Sequence, residues 1–147
     1  MSSRTDTLRD LEHEVTVMVR RIRRVIGVRA RAVHESLQPA SYLILSHVIE
    51  HGPVRASSIV EVFDIDKGAI SRQVAHLVDL GLIDCTPDPD DGRARLLTVS
   101  DEGARRMRDV GDQRRKLLEE RLGEWSDKEL EGFVRALGRY NSALNDL

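Results

Sequence analysis

Cysteine occurs once in this chain of 147 residues, as Cys85. One thiol excludes an internal disulfide framework and any cysteine-based zinc cage built by a single subunit. Aromatic residues make up only 3% of the sequence, so the core has to be aliphatic. Long apolar runs are also missing, and none approaches the roughly 20 residues needed to span a bilayer. The opening Met1-Ser2-Ser3-Arg4-Thr5-Asp6 lacks the apolar segment of a signal peptide, so the expectation is a cytoplasmic location and no membrane partner. Nor is there an excess of one charge: 23 Lys and Arg against 25 Asp and Glu leave a formal net charge of -2. This balance counts against attraction of a polyanion by bulk charge, so affinity for one is expected to rest on placed cations rather than on a field. The sequence holds no phosphate loop, dinucleotide fingerprint, nucleophile elbow or metalloprotease helix, so neither an enzyme nor a cofactor is expected.

What is present is helical periodicity. Over residues 6–35 the apolar residues Leu8, Leu11, Val15, Met18, Ile22 and Val25 recur at steps of three and four, a heptad-like stripe that needs a partner. Arg20, Arg21, Arg23 and Arg24 flank Ile22 and suit a solvated face, intersubunit ion pairs or contact with phosphate. Pro39 suits the first position of a second helix, which runs to Gly52-Pro53. Residues 54–63 read as a third helix, and Asp64-Ile65-Asp66 as a turn whose last residue caps a fourth.

That fourth helix carries Ile70, Val74, Leu77 and Val78 on an apolar face and ends at Gly81, a residue suited to the left-handed position after a helix. Its other positions hold Lys67, Ser71, Arg72, Gln73 and His76, side chains that hydrogen-bond phosphates and base edges. Residues 82–86 and 95–99 are short apolar runs around a turn-rich loop, which predicts a β-hairpin. Ser100 should cap a long helix, and Ser126-Asp127-Lys128-Glu129 is a capping box for a last one. The fold class is thus mainly α with a small β wing (α+β), in one domain of residues 1–147. A winged helix-turn-helix occupies about 53–100, and helical dimerisation segments about 6–36 and 101–147.

Two motifs in this order carry a resemblance. The hairpin reads Asp91-Gly92-Arg93-Ala94-Arg95-Leu96-Leu97-Thr98-Val99-Ser100, which fits the pattern Asp-x-Arg-x-x-x-Leu-x-Leu-Thr with Val99 and Ser100 as close substitutions. Together with the helix from Asp66-Lys67 to Gly81-Leu82-Ile83, it resembles the MarR family of bacterial transcription regulators over nearly the whole chain. The resemblance implies a homodimer whose terminal helices interlock and whose two winged motifs sit on successive major grooves of a near-palindromic DNA operator. It further implies a regulator, most often a repressor, released by a small phenolic or anionic effector. Carried over by residue, Ser71, Arg72, Gln73 and His76 face the major groove, Lys67 the phosphates, and Arg93 and Arg95 belong to the wing.

Physical chemistry divides these roles. Arg72 and Gln73 can each form bidentate bonds, to guanine and adenine edges respectively, worth about 1–3 kcal/mol of discrimination apiece. Lys67 and Ser58 suit phosphates, which set register without reading sequence. Arg93 either contacts DNA or pairs with Asp91 to brace the hairpin. The chain departs from the family where a hydroxyl residue is replaced by Arg55, and where Gly68 and Ala69 replace polar residues.

The effector pocket, placed by the family's architecture, falls near His13, Tyr42 and His47. Other sensors are open: Cys85 through a sulfenic acid or an intersubunit bond, or a metal at His47 and His51, although no recognised metal-ligand pattern is present and no metal site is assigned. A redox- or metal-responsive regulator of the same fold is one alternative. A helical dimer acting only through protein partners is another.

Overall fold

The computed structural model describes residues 1–145 and divides into two compact units, Met1–Val110 and Gly111–Leu147. The elements are α1 (Arg4–Val33), α2 (Pro39–His51), β1 (Val54–Arg55), α3 (Ala56–Phe63), α4 (Lys67–Asp79), β2 (Ile83–Pro87), β3 (Arg95–Val99), α5 (Asp101–Arg121) and α6 (Asp127–Ala143). The class is the mainly helical one expected, with one small antiparallel sheet of order β1-β3-β2. No helix among the described residues is long and apolar enough to cross a membrane.

Local chemistry sets most of the boundaries. Ser3 and Asp6 form a capping box at the start of α1, and Pro39 occupies the first turn of α2. The Asp66 carboxylate accepts from the Ala69 N–H at 3.2 Å and so caps α4 as anticipated. The turn before it places Asp64 at φ 47, a left-handed conformation that aspartate tolerates. Gly81, at φ 71, ends α4 as the sequence indicated. Ser100 accepts from the Gly103 N–H at 3.0 Å and donates to the Gly81 carbonyl at 2.6 Å, so it caps α5 and ties it to the end of α4. Ser126 and Glu129 form the expected capping box of α6.

One boundary is corrected. Residues 54 and 55 do not begin a helix but form β1, with Val54 opposite Leu97 and Arg55 opposite Leu96. The third helix starts only at Ala56. Two β-paired residues satisfy backbone groups that a two-residue extension of a short helix would have satisfied equally well, and only the presence of β3 decides between them.

The core of the first unit is aliphatic, as the scarcity of aromatics required. Ile44, Leu45, Ile59, Leu77, Leu82 and Leu97 have no accessible surface, and Tyr42 is the only buried aromatic side chain among the described residues. Gly27, Ala30 and Val33 carry the buried face of α1 near its C-terminal end, and a Cβ at Gly27 would stand 4.0 Å from Pro39 Cγ. The heptad-like stripe is not that face. Leu8, Leu11, Ile22 and Val25 remain exposed, with Val15 and Met18 half-buried. In the second unit α6 buries no residue, and Leu130, Phe133 and Val134 are exposed. Trp125 meets Phe133 edge to face, with ring centroids 5.7 Å apart.

Candidate nucleic-acid interface

Helix α4 is positioned by Ile70 and Leu77, both essentially without exposure. At about 100° per residue these two define its inward direction. Lys67, Ser71 and Arg72 then fall on exposed positions. Val78, expected on the apolar face, is 37% exposed, because it lies about 90° round the helix from the inward direction. The Arg72 side chain runs back toward the helix N-terminus, as helical side chains do, and passes over Gly68. A Cβ there would stand 3.4 Å from Arg72 Nη1 and 3.0 Å from Asp66 Oδ2, so the glycine leaves room for the guanidinium.

The wing is held from its base. Arg55 Nε donates to Asp88 Oδ2 at 2.9 Å, and Asp88, only 6% exposed, also accepts from the Asp90 N–H at 2.9 Å. The Asp90 N–H, and after it the Arg55 guanidinium, hold the Asp88 carboxyl below the usual carboxylate range against the opposing effect of burial. The loop closes through Asp88 N–H to the Ala94 carbonyl and Ala94 N–H to the Asp91 carbonyl, each 2.9 Å. Asp91 does not pair with the Arg93 guanidinium. Its carboxylate takes the Arg93 backbone N–H at 3.1 Å, so the bracing role considered for Arg93 falls to Arg55.

Among the described residues, the side chains of Lys67, Arg72, Arg93 and Arg95 form no ion pair, although seven such pairs occur elsewhere. All four are exposed. Between α4 and the wing lies a pocket of about 500 Å³, with Lys67, Ser71 and Arg95 at exposed positions and Ile70, Val74 and Leu97 at covered ones. Cys85 is half-buried on β2 and also lines it.

Three expected contact residues are already engaged inside the protein. Ser58 Oγ donates to the Arg55 carbonyl at 2.7 Å, which closes the first turn of α3. Gln73 accepts from Ser41 Oγ and donates from Nε2 to Gln38 Oε1 at 3.2 Å. His76 Nε2 donates to the Ser36 carbonyl at 3.1 Å. For Gln73 a signal was present in the sequence. Ile70, Gln73, Val74 and Leu77 stand at i, i+3, i+4 and i+7, so the glutamine belongs to the inward stripe rather than beside Arg72. The roles of Arg55 and Asp88 carried no such signal, since 33 positions separate them.

The three expected effector residues have different surroundings within one chain. Tyr42 is buried and His13 exposed, the latter about 21 Å along α1 from Gly27. His47 lies about 140° round α2 from Tyr42 and packs instead against Phe63 and His51, with ring centroids at 5.6 and 4.4 Å. None of the three lines the pocket beside α4. Among the described residues no group of three or more His, Cys, Asp or Glu could hold a metal ion.

Helices α3 and α4 joined by a tight turn, then a two-stranded wing closed by a third short strand, define a winged helix-turn-helix protein. The same assignment comes from known proteins. A family model described as the MarR family matches residues 35–94. The chain is 35% identical over 136 residues to the uncharacterized HTH-type transcriptional regulator YxaD of Bacillus subtilis, covering 92% of this chain and 94% of that protein. Among solved structures it is similar to RV1404 from Mycobacterium tuberculosis, with a TM-score of 0.76 at 23% identity and coverage of 99% and 97%. A Listeria monocytogenes structure described as a MarR family transcriptional regulator complexed with 26mer DNA has a TM-score of 0.73 at 16% identity, covering 91% and 88%. The chain belongs to the MarR family, and is a DNA-binding transcriptional regulator of that family.

Proposed function

We propose that this regulator is a homodimeric repressor of a near-palindromic operator, released by a small phenolic or anionic effector. The observation that carries the DNA contacts is the set of four exposed and unpaired cations: Lys67 and Arg72 on α4, and Arg93 and Arg95 on the wing. In a chain of net charge -2 these are the placed charges that phosphate binding requires. Arg72, with Ser71 beside it, addresses base edges in the major groove, Lys67 the phosphates, and Arg93 and Arg95 the backbone or minor groove next to it. Ser58, Gln73 and His76 drop out of the contact set, because each already has a partner within the protein.

The dimer is supported by apolar side chains that each unit leaves uncovered: Leu8, Leu11, Ile22 and Val25 along α1, and Leu130, Phe133 and Val134 on α6. Apolar stripes of this extent mark association surfaces. Effector release rests on the family resemblance, and a thermal-shift screen of phenolic acids tests it. The deciding experiment for the whole reading is selection of bound duplexes from a random pool. The expected result is a palindrome with half-sites about one helical turn, 10 to 10.5 base pairs, apart. Enrichment of no duplex at low salt would overturn it.

A further inference from the structure

Gln73 and His76 sit on one flank of α4, three residues apart, and both reach the corner where α1 meets α2. Ser41, in the first turn of α2, has no exposed surface, and its hydroxyl donates to Gln73 Oε1. Gln38, the residue capping α2, accepts from Gln73 Nε2. Ser36, in the connection before it, accepts from His76. The corner is itself tightly held: Ser36 N–H donates to His34 Nδ1 at 3.0 Å, Leu37 N–H donates to the His34 carbonyl at 3.0 Å, and Leu37 is buried in the core.

The other buried residues that the two helices bring to the core are apolar: Tyr42, Ile44, Leu45 and Val48 from α2, and Ile70 and Leu77 from α4. Apolar packing is non-directional and leaves a helix some freedom to roll about its axis. Base readout has little tolerance for that, since a binding constellation must be held within about 10–20°. Hydrogen bonds at the edge of such a seam are directional and remove the freedom.

We propose that Gln73 and His76 are positioning residues: bound to Ser41, Gln38 and Ser36, they set the rotation of α4 and thereby the aim of Ser71 and Arg72 at DNA. This rests on the contact reading above and adds to it, because it gives Gln73 an indirect role in affinity and none in base choice.

The test measures binding of the full chain to its selected duplex and to single-base variants of that duplex. Gln73→Leu keeps an apolar stem and removes both amide bonds. It should weaken binding about three- to tenfold, the scale of one hydrogen bond's net contribution, by an equal factor on every base variant. His76→Leu should do the same. Ser41→Ala removes a hydroxyl buried in α2, where no base can reach it, and should weaken binding by a similar factor; Ser41→Thr, which keeps the hydroxyl, should restore it. In the Gln73→Leu background Ser41→Ala should add nothing. Relaxed choice at one adenine in Gln73→Leu, with Ser41→Ala neutral, would overturn the proposal and make Gln73 a base reader. Lys67→Ala and Arg72→Ala separate the two failures. If they weaken binding while Gln73→Leu and Ser41→Ala do not, positioning fails alone; if they too are neutral, the contact reading fails and positioning with it. Circular dichroism checks folding, and should the Ser41 variants not fold, the half-exposed Gln73 and His76 decide by the same evenness across base variants.

Discussion

The guanidinium of Arg55 closes on the carboxylate of Asp88, with Nε at 2.9 Å and Nη2 at 2.8 Å from the same oxygen. Arg55 belongs to the short strand that precedes α3, and Asp88 to the first turn of the wing loop. One ion pair therefore joins the helix-turn-helix to the base of the hairpin whose tip carries Arg93.

Breaking this pair should loosen the wing without unfolding the helices. Arg55→Ala leaves a nearly buried carboxylate without its cation, held only by backbone N–H groups of the wing loop, and such an unpaired charge is costly. The expected outcome is a melting temperature lowered by a few degrees and faster amide exchange confined to residues 84–98. Asp88→Asn should act in the same direction but less strongly, because an amide still accepts from Asp90. Unchanged exchange in the hairpin would count against the clasp.

Acid should weaken the anchoring of α5. Arg105, and then Arg106, hydrogen-bond the Glu102 carboxylate and lower its pKa from 4.5 to about 2. Arg106 also donates to the Val33 carbonyl at 2.9 Å, so this carboxylate helps fix the end of α1. A depressed folded-state pKa makes the contribution complete above about pH 4.5 and lost as pH falls toward about 2. Urea midpoints measured across that window should fall less steeply in Glu102→Gln than in the parent chain.

Lys67 and Arg72 should separate cleanly in binding experiments. Lys67→Ala should weaken every duplex alike and reduce the salt slope by about one, whereas Arg72→Ala should relax choice at one base pair by about 1–3 kcal/mol. Arg93→Ala should lower affinity with no change in melting temperature, since among the described residues its guanidinium has no partner to lose.

Gly103→Ala should destabilise, although alanine is favoured over glycine inside a helix by up to about 1 kcal/mol. A Cβ at position 103 would press onto the Leu82 carbonyl oxygen and stand 3.1 Å from Val99 Cγ2. Overpacking of this kind costs about 1–3 kcal/mol, and more when the obstacle is backbone, so the collision outweighs the propensity. A thermal melt decides the sign.

Most of the element order was legible because its determinants are local. Capping at Ser3 aside, the ends of the helices follow from Pro39, Asp66, Gly81, Ser100 and Ser126, each of which starts or stops its helix through groups within three residues of itself. The strand at Val54 was not legible, since its only distinction from a helix start is a partner forty-odd residues away. The site divided in the same way. Exposed cations could be read from their positions relative to Ile70 and Leu77, and with a stricter reading of that period Gln73 could have been moved inward as well.

The sequence by itself determined the winged helix-turn-helix order, the aliphatic core and the reliance on a few cations, because periodicity, capping and net charge are properties of the chain alone. Only the tertiary structure decided which polar side chains are available to a partner. Gln73, His76 and Ser58 have the same hydrogen-bonding chemistry as the contacts they were expected to make, and they were claimed instead by Ser41, Gln38, Ser36 and Arg55. A donor or acceptor is occupied by the partner that the fold holds within hydrogen-bond distance. For Gln73 and His76 that partner is a helix corner more than thirty positions away.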